Sequence, residues 1–274
     1  MKNILPVGVQ VYSVRGYAER DFKGTMQKIK EFGYDGVELA GLYGLSSEFI
    51  RETLDEIGLV AISAHVPFAE MKSDPAGTIE TYKKIGCEYL AVPYLEENDR
   101  PLAPAYSETL KEIRHFGELC TADGLVLMYH NHDFEFVKMP NGKYGLDDMY
   151  DTIPAEFLQT ELDTCWVKVA GEDPAEYICK YSGRCPVVHL KDFYKEGAPA
   201  NMYELIGIET EKKAETGLFE FRPVGYGMQD FPPILEASVE SGAKWVIVEQ
   251  DSSNGRTPLE AIKLSREYLK SLGW

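Results

Sequence analysis

The chain has 274 residues and a formal net charge of −17, with 44% hydrophobic and 27% charged residues. That excess of acid argues against nucleic acid and anionic membranes as main partners, because both are bound through a basic face. The five cysteines, Cys87, Cys120, Cys165, Cys179 and Cys185, are odd in number and match no zinc or redox spacing, so reduced, mostly buried thiols are expected.

The opening stretch, MKNILPVGVQVYSVRGYAERD, has no long apolar segment. Neither a signal peptide nor a membrane span is expected, and the cytoplasm is the default location. From there, short β-branched runs alternate with amphipathic stretches. The first strand is VGVQVYS (7–13), followed by a helix in FKGTMQKIKEFG that Gly33 closes. GVELAG (36–41) is the second strand, and SSEFIRETLDEIG is a helix with a Ser cap and Gly58 at its end. VAISAHVP (60–67) precedes the helix GTIETYKKIG, and YLAVPY (89–94) precedes a long helix near 104–123. The fifth strand is LVLMYHNH, after which FVKMPNGKYG reads as a small hairpin with Asn-Gly at its tip. A helix near 145–153 leads to FLQTELDTCW (157–166), and DPAEYICKYSG is helical with Asp173 as cap and Pro174 in its first turn. PVVHLKDF (186–193), a helix in FPPILEASVESG, KWVIVEQD (244–251) and a final helix in TPLEAIKLSREYLKSLG complete the chain.

Eight strands each followed by a helix, with no linker between them, predict one α/β domain over residues 1–274, closed as a (β/α)8 TIM barrel. An open doubly wound sheet is the alternative, but the first strand is not followed by a Gly-rich phosphate loop. Residues 195–230 separate the seventh strand from its helix. A loop of that length suggests a lid, more mobile than the barrel.

Active sites of such barrels lie at the carboxyl ends of the strands, where inward residues alternate with outward ones. The inward residues at those ends are Gln10 and Tyr12, Glu38, His65, His130 and His132, Glu161 and Asp163, His189 and Lys191, and Glu249 and Asp251. Carboxylates and imidazoles gathered on one rim repel one another unless a cation or proton compensates, and such a mixed set suits Mn, Co, Zn, Fe or Ni. Each residue also has a plain structural alternative: Asp163 as a turn residue, Glu38 paired with a lysine, Lys191 paired with Glu161 or Asp192. Aromatics near the mouth (Tyr12, Phe68, Trp166 and Phe193) would stack on the apolar face of a sugar, and Arg222 in the long loop would hold a phosphate or carboxylate.

GYDGVEL, YHNHDFEF, LDTCWVKVAGEDPAEYICKYSGR, VVHLKDF, VGYGMQDFPPIL and WVIVEQD together resemble the sugar phosphate isomerase/epimerase family of xylose-isomerase-like barrels. That group includes inosose dehydratase, tagatose 3-epimerase, endonuclease IV and 3-keto-glycoside epimerases and lyases. The resemblance implies one divalent metal ion (Mn, Co, Zn, Fe, Ni or Mg), held by a Glu, an Asp, a His and a Glu ending strands five to eight. The last three fall on Asp163, His189 and Glu249, and the first falls on His130, which is not a carboxylate. It also implies a small sugar or polyol as partner, and proton abstraction beside a carbonyl by an isomerase or epimerase. Glu249, Glu161, Lys191 and His132 are then the candidate catalytic groups, and Gln10, Glu38, His65, Arg222 and Trp166 the candidate substrate contacts. A dehydratase or 3-keto-glycoside lyase would use the same site. A non-catalytic sugar-binding barrel, or a subunit needing a partner, is the reading from a different class. Oligomeric state is not encoded, and a homo-oligomer stays open.

Overall fold

A computed structural model describes residues 4–199, 202–208 and 216–274. Ten strands are present among them. In chain order they are β1 (Val7–Gln10), β2 (Gly36–Ala40), β3 (Val60–His65), β4 (Tyr89–Val92), β5 (Val126–His130), β6 (Gln159–Asp163), β7 (Val187–Leu190), β8 (Asp192–Ala198), β9 (Thr216–Arg222) and β10 (Trp245–Val248). Eight of them close into a barrel in the order β1-β10-β7-β6-β5-β4-β3-β2. All its pairings are parallel, and β10 returns to β1 with Val246 opposite Val7.

The helices start and stop where side-chain chemistry dictates. Asp21 accepts a hydrogen bond from the Gly24 N–H to open Phe22–Phe32, and Gly33 closes that helix at φ 94°. Ser46 caps Ser47–Ile57, and a capping box of Thr257 and Glu260 opens Pro258–Ser271. Helix Phe68–Ser73 is an addition to the sequence-based expectation. The 138–144 segment narrows to a single antiparallel bridge between Lys138 and Tyr144. Cys87, Cys120, Cys165 and Cys185 are buried and Cys179 is exposed, all as free thiols. Among the described residues, no helix is long and apolar enough to cross a membrane.

Inside the barrel, Ile62, Tyr89, Ala91, Met128, Val187 and Ile247 form a dry floor. Ile62 has room because β1 and β2 bring glycines to it. A Cβ on Gly8 would lie 2.5 Å from its Cδ1, and one on Gly36 would lie 2.8 Å from its Cγ1. The buried Glu161, Asp163, His130 and His189 lie toward the carboxyl ends of their strands.

The seventh connection differs from the predicted loop. β8 and β9 pair antiparallel from Asp192↔Arg222 to Ala198↔Thr216 and form a two-stranded ribbon outside the barrel. Alternation explains the pairing: Phe219 and Phe221 pack with Phe193, Cys165 and Trp166. Asp192 anchors the ribbon's return. Its carboxylate accepts from the backbone N–H groups of Gly225 (3.0 Å), Gly227 (2.8 Å) and Gln229 (3.2 Å). Of the segment expected to be a lid, residues 200, 201 and 209–215 lie outside the described residues. The described turn Met202–Ile206 reaches the barrel mouth, where the Tyr12 hydroxyl donates to the Ile206 carbonyl at 3.0 Å.

Candidate metal and active site

Strand periodicity brings the acidic and imidazole side chains to one place. Glu38, Glu161, Asp163 and His189 are 0% exposed, and His130 and Glu249 nearly so. Two overlapping sets of four have ligand atoms within 4.8 Å of one another. They are His65, His130, Glu161 and His189, and His130, Asp163, His189 and Glu249.

The network is continuous. Glu38 accepts from Gln10 Nε2 (2.7 Å) and Ser63 Oγ (2.6 Å), so the alternative of a lysine partner does not hold. His65 Nε2 lies 2.6 Å from Glu161 Oε2 and 3.2 Å from Glu38 Oε2. His130 Nδ1 lies 3.2 Å from Glu161 Oε2, and its Nε2 lies 3.6 Å from Asp163 Oδ2. His189 Nδ1 lies 3.2 Å from Glu249 Oε2, and its Nε2 lies 2.8 Å from Glu38 Oε2, though not aligned as a hydrogen bond. Lys191 pairs with neither Glu161 nor Asp192. Its Nζ lies 2.6 Å from Asp251 Oδ2, 3.0 Å from Glu249 Oε2 and 3.6 Å from Asp163 Oδ2. Asp163 does more than end a strand: its Oδ1 accepts from the Trp166 N–H at 3.0 Å, capping helix Thr164–Val169.

Burial and mutual charge set the protonation of the cluster. Burial pushes Asp163 up to about 7 despite the opposing pull of Lys191. Burial would also raise Glu161 and Glu249, but His189 and His65 around the first, and Lys191 and His189 around the second, hold both well below the usual carboxylate range. Burial would lower His65, yet the charges of Glu38 and Glu161 lift it to about 9. His130 is dominated by burial and falls to about 4. His132, buried beside His130, is held well below its usual value and is therefore neutral.

The donor set fits a divalent cation. Glu38, Glu161, Asp163, Glu249 and Asp251 face one lysine, Lys191, and two imidazoles that neighbouring carboxylates raise, His65 and His189, so five acids meet three basic groups. Asp163 Oδ2, Glu161 Oε1 and His189 Nε2 are buried without a hydrogen-bond partner. The two carboxylate oxygens are acceptors, costly to bury unless something positive meets them.

Above the cluster is a cavity of about 340 Å³, lined by Tyr12, His65, His130, His132, Lys191 and Glu249 among others. Asp251, Tyr94, Ile206 and Ile208 also line it. Other residues expected at the mouth are elsewhere. Trp166 is fully buried, stacked between Tyr203 (5.7 Å) and Phe219 (6.2 Å), because the chain turns into a helix directly after Asp163. Arg222 lies in β9 and pairs with Glu220 of the same strand, so it is not part of the cavity wall. Phe68 and Phe193 are buried and do not line the cavity. His132 does line it, but β5 ends at His130, and a stack on Phe134 at 5.4 Å holds the ring. Tyr94, Ile206 and Ile208 were not singled out in the sequence. Tyr94 follows β4 two residues after its end, the one signal that would have pointed to it.

Known proteins share this architecture. The inosose dehydratase of Clostridium tetani (strain Massachusetts / E88) is 26% identical over 280 residues, covering 92% of this chain and 90% of the relative. That of Lactiplantibacillus plantarum (strain ATCC BAA-793 / NCIMB 8826 / WCFS1) is 23% identical over 279 residues, covering 98% and 86%. A sugar phosphate isomerase/epimerase structure from Parabacteroides distasonis ATCC 8503 has a TM-score of 0.77 at 20% identity, covering 98% of this chain and 95% of that one. The apo structure of 3-keto-D-glucoside 4-epimerase from E. coli has a TM-score of 0.67 at 14% identity, covering 97% and 99%. The family description "Xylose isomerase-like TIM barrel" matches residues 26–272. With a closed eight-stranded parallel barrel and that match across most of its length, the chain belongs to the xylose isomerase-like TIM barrel family.

Proposed function

We propose that the chain is a divalent-metal-dependent enzyme that removes a proton from the carbon beside the carbonyl of a sugar or polyol, and completes the turnover as an isomerase or epimerase. One observation carries this reading: the four donors His130, Asp163, His189 and Glu249 lie together on a dry barrel floor, with His130 and Glu249 reaching the wall of a cavity of about 340 Å³. That volume suits a monosaccharide-sized ligand. A bound divalent ion would supply positive charge on the oxygen side of the substrate.

The side chains perform the rest. Glu249, ionised beside Lys191 and His189, accepts the α-proton. Lys191, cationic among Asp251, Glu249 and Asp163, donates a hydrogen bond to the oxygen that gains charge as the proton leaves. Ile206 and Ile208 line the cavity and give its wall an apolar face beside the reacting carbon. Delivery of a proton to the other face by a second acid on that side gives an epimer, and return of the Glu249 proton to the neighbouring carbon gives an isomer.

Elimination is the second reading, favoured by the inosose dehydratases that align over most of the chain. The first step is the same, after which a β-hydroxyl departs with a proton as water. The test is incubation of metal-loaded protein with ketoses, 3-keto-glucosides and inososes in D₂O, followed by NMR. Deuterium at the α-carbon is expected, and Glu249→Gln should suppress it. Loss of water from an inosose would choose elimination. Turnover without α-deuterium would refute exchange through a side-chain base and leave a hydride shift, and no turnover of any substrate would favour a sugar-binding barrel.

A further inference from the structure

The order of strands divides the cavity wall into two arcs. β10 and β7 are neighbours in the barrel, and Lys191, Glu249 and Asp251 enter the wall just beyond their ends. β4, β3 and β2 are consecutive neighbours too, and at or just past their ends the wall is built from Ala40, Pro67, Pro93 and Tyr94. Ile206 and Ile208 add two more apolar side chains. They border this second arc, because Tyr12, which holds the Ile206 carbonyl at 3.0 Å, follows β1, the neighbour of β2.

The polar atoms of the second arc are engaged outside the wall. The Tyr94 hydroxyl accepts from Arg100 Nη2, and Arg100, which does not line the cavity, is itself held by the Leu95 carbonyl at 2.9 Å and lies 4.0 Å from the centre of the Phe134 ring. His65 commits Nε2 to Glu161 at 2.6 Å and Glu38 at 3.2 Å, neither of which lines the wall. The arcs also differ in depth. Lys191 and Glu249 are 2% and 3% exposed, whereas Pro67 and Glu70, also in the wall, are exposed. The polar end is thus the deep end, and the apolar arc runs outward to the surface.

We propose that the substrate is amphipathic: a polyol part bearing the carbonyl sits at the deep polar end, and an uncharged apolar substituent lies along Ala40, Pro67, Pro93, Tyr94, Ile206 and Ile208. This rests on the reading of the site given above and narrows it to a substituted sugar rather than a free polyol such as an inosose. A free polyol carries hydroxyls all round, and those turned to the apolar arc would give up water without gaining a partner. An apolar group there gains by leaving water, and it meets a surface that is already set, since prolines and a tethered tyrosine have little freedom left to lose. Charge excludes an anionic substituent. Among the described residues Lys191 is the only lysine or arginine of the wall, it is already paired with Asp251 and Glu249, and the outer rim carries Glu70. A phosphate or carboxylate at that end would meet an acid and no free cation.

The experiment compares ligands that differ only in the substituent. Methyl, phenyl and 4-carboxyphenyl glucosides, both anomers of each, are titrated calorimetrically into metal-loaded protein. The matching 3-keto-glucosides and an inosose are then incubated with it in D₂O and followed by NMR. The phenyl ligand should bind at least about tenfold more tightly than the methyl one and lower KM by a similar factor, and the 4-carboxyphenyl ligand should lose that gain. Ile208→Ser and Tyr94→Ala should each shrink the phenyl-to-methyl ratio. Equal affinity for methyl and phenyl, or a lower KM for the inosose, would overturn the inference, and α-deuterium in any of the ketones would then still uphold the proposed function. A ratio unchanged in both variants would place the substituent elsewhere and overturn it as well. Tighter phenyl binding with no α-deuterium in any ketone would uphold the amphipathic ligand and remove proton abstraction. The ratio measured in the unaltered chain decides even if a variant fails to fold.

Discussion

Glu135 offers a measurement that separates the scaffold of the mouth from its chemistry. It sits in the turn Phe134–Phe136 just past β5, fully buried. Its Oε1 accepts from the Tyr129 hydroxyl at 2.5 Å and its Oε2 from the His132 N–H at 2.8 Å, so it holds the backbone that carries His132 into the cavity wall. Burial lifts this carboxyl from 4.5 to about 8, against the lowering effect of those hydrogen bonds. A raised acid means that the native state binds the proton more tightly than the unfolded chain does. Its contribution is complete below the unfolded value and is lost as pH rises toward the folded one, at about 1.4 kcal/mol per pH unit. Across the interval from 4.5 to about 8 that amounts to about 5 kcal/mol at most. Glu135→Gln keeps an acceptor for the His132 N–H, offers a donor to the Tyr129 oxygen, and cannot titrate. Urea unfolding of metal-free protein and variant between about pH 5 and 9 should show the native chain losing stability relative to the variant as pH rises. Parallel profiles would refute the reasoning and mean that Glu135 is ionised in the folded state throughout.

Three further substitutions address other parts of the molecule. Lys191→Met removes the cation from Asp251, Glu249 and Asp163, and should abolish α-deuterium exchange while costing about 3–5 kcal/mol in unfolding free energy, since it strips the partner from buried charges; retained exchange would deny Lys191 its role. Asp192→Ala removes the acceptor of the Gly225, Gly227 and Gln229 N–H groups, at about 0.5–1.5 kcal/mol each, and should speed hydrogen exchange in residues 223–230; Asp192→Asn should rescue only part of this, because both carboxylate oxygens accept N–H groups and an amide keeps one acceptor oxygen. Gly117→Ala should lower the thermal midpoint, because its Cβ would lie 1.9 Å from the Phe157 carbonyl oxygen, a backbone contact that cannot yield by rotating a side chain; an unchanged midpoint would show that helix Tyr106–Ala122 has room to shift.

The parts of the site legible in the sequence are those governed by strand periodicity. A period of two, read back from a polar strand end, brings Glu38, His130, Glu161, Asp163 and His189 inward without any knowledge of contacts, and β-branched runs bounded by Gly and Ser caps mark the eight barrel strands. The reading fails where the chain leaves the strand. Past Asp163 the backbone turns at once into a helix, so Trp166 follows helical geometry into a buried aromatic stack. Past Leu190, β8 leaves the barrel for its own ribbon, and Arg222 goes with the partner strand. The alternation in LFEFR, with Phe219 and Phe221 buried between exposed Leu218 and half-buried Glu220 and Arg222, was the available signal for that ribbon. Its pairing partner, across the intervening chain, is not encoded locally.

What periodicity cannot supply is the division of labour among residues that share one phase. Glu161 and Asp163 both point inward from β6, two residues apart, and are equivalent to any pattern of alternation. The height of the side chain above the floor separates them. Glu161 lies level with His65 and pairs with it at 2.6 Å, beneath the cavity, whereas Asp163 is one pleat higher, opposite His189 in the β6–β7 register and within reach of Lys191. Height depends on the stagger between neighbouring strands, and here on the shift between Val37 and Glu38 that pairs Glu38 with Ser63. Stagger is a property of the closed barrel. The chemical identity of the cluster is therefore local information, and the roles within it are global. That is why the donor cluster can be read from one chain while the roles of its members can be argued only when all eight strands are in register.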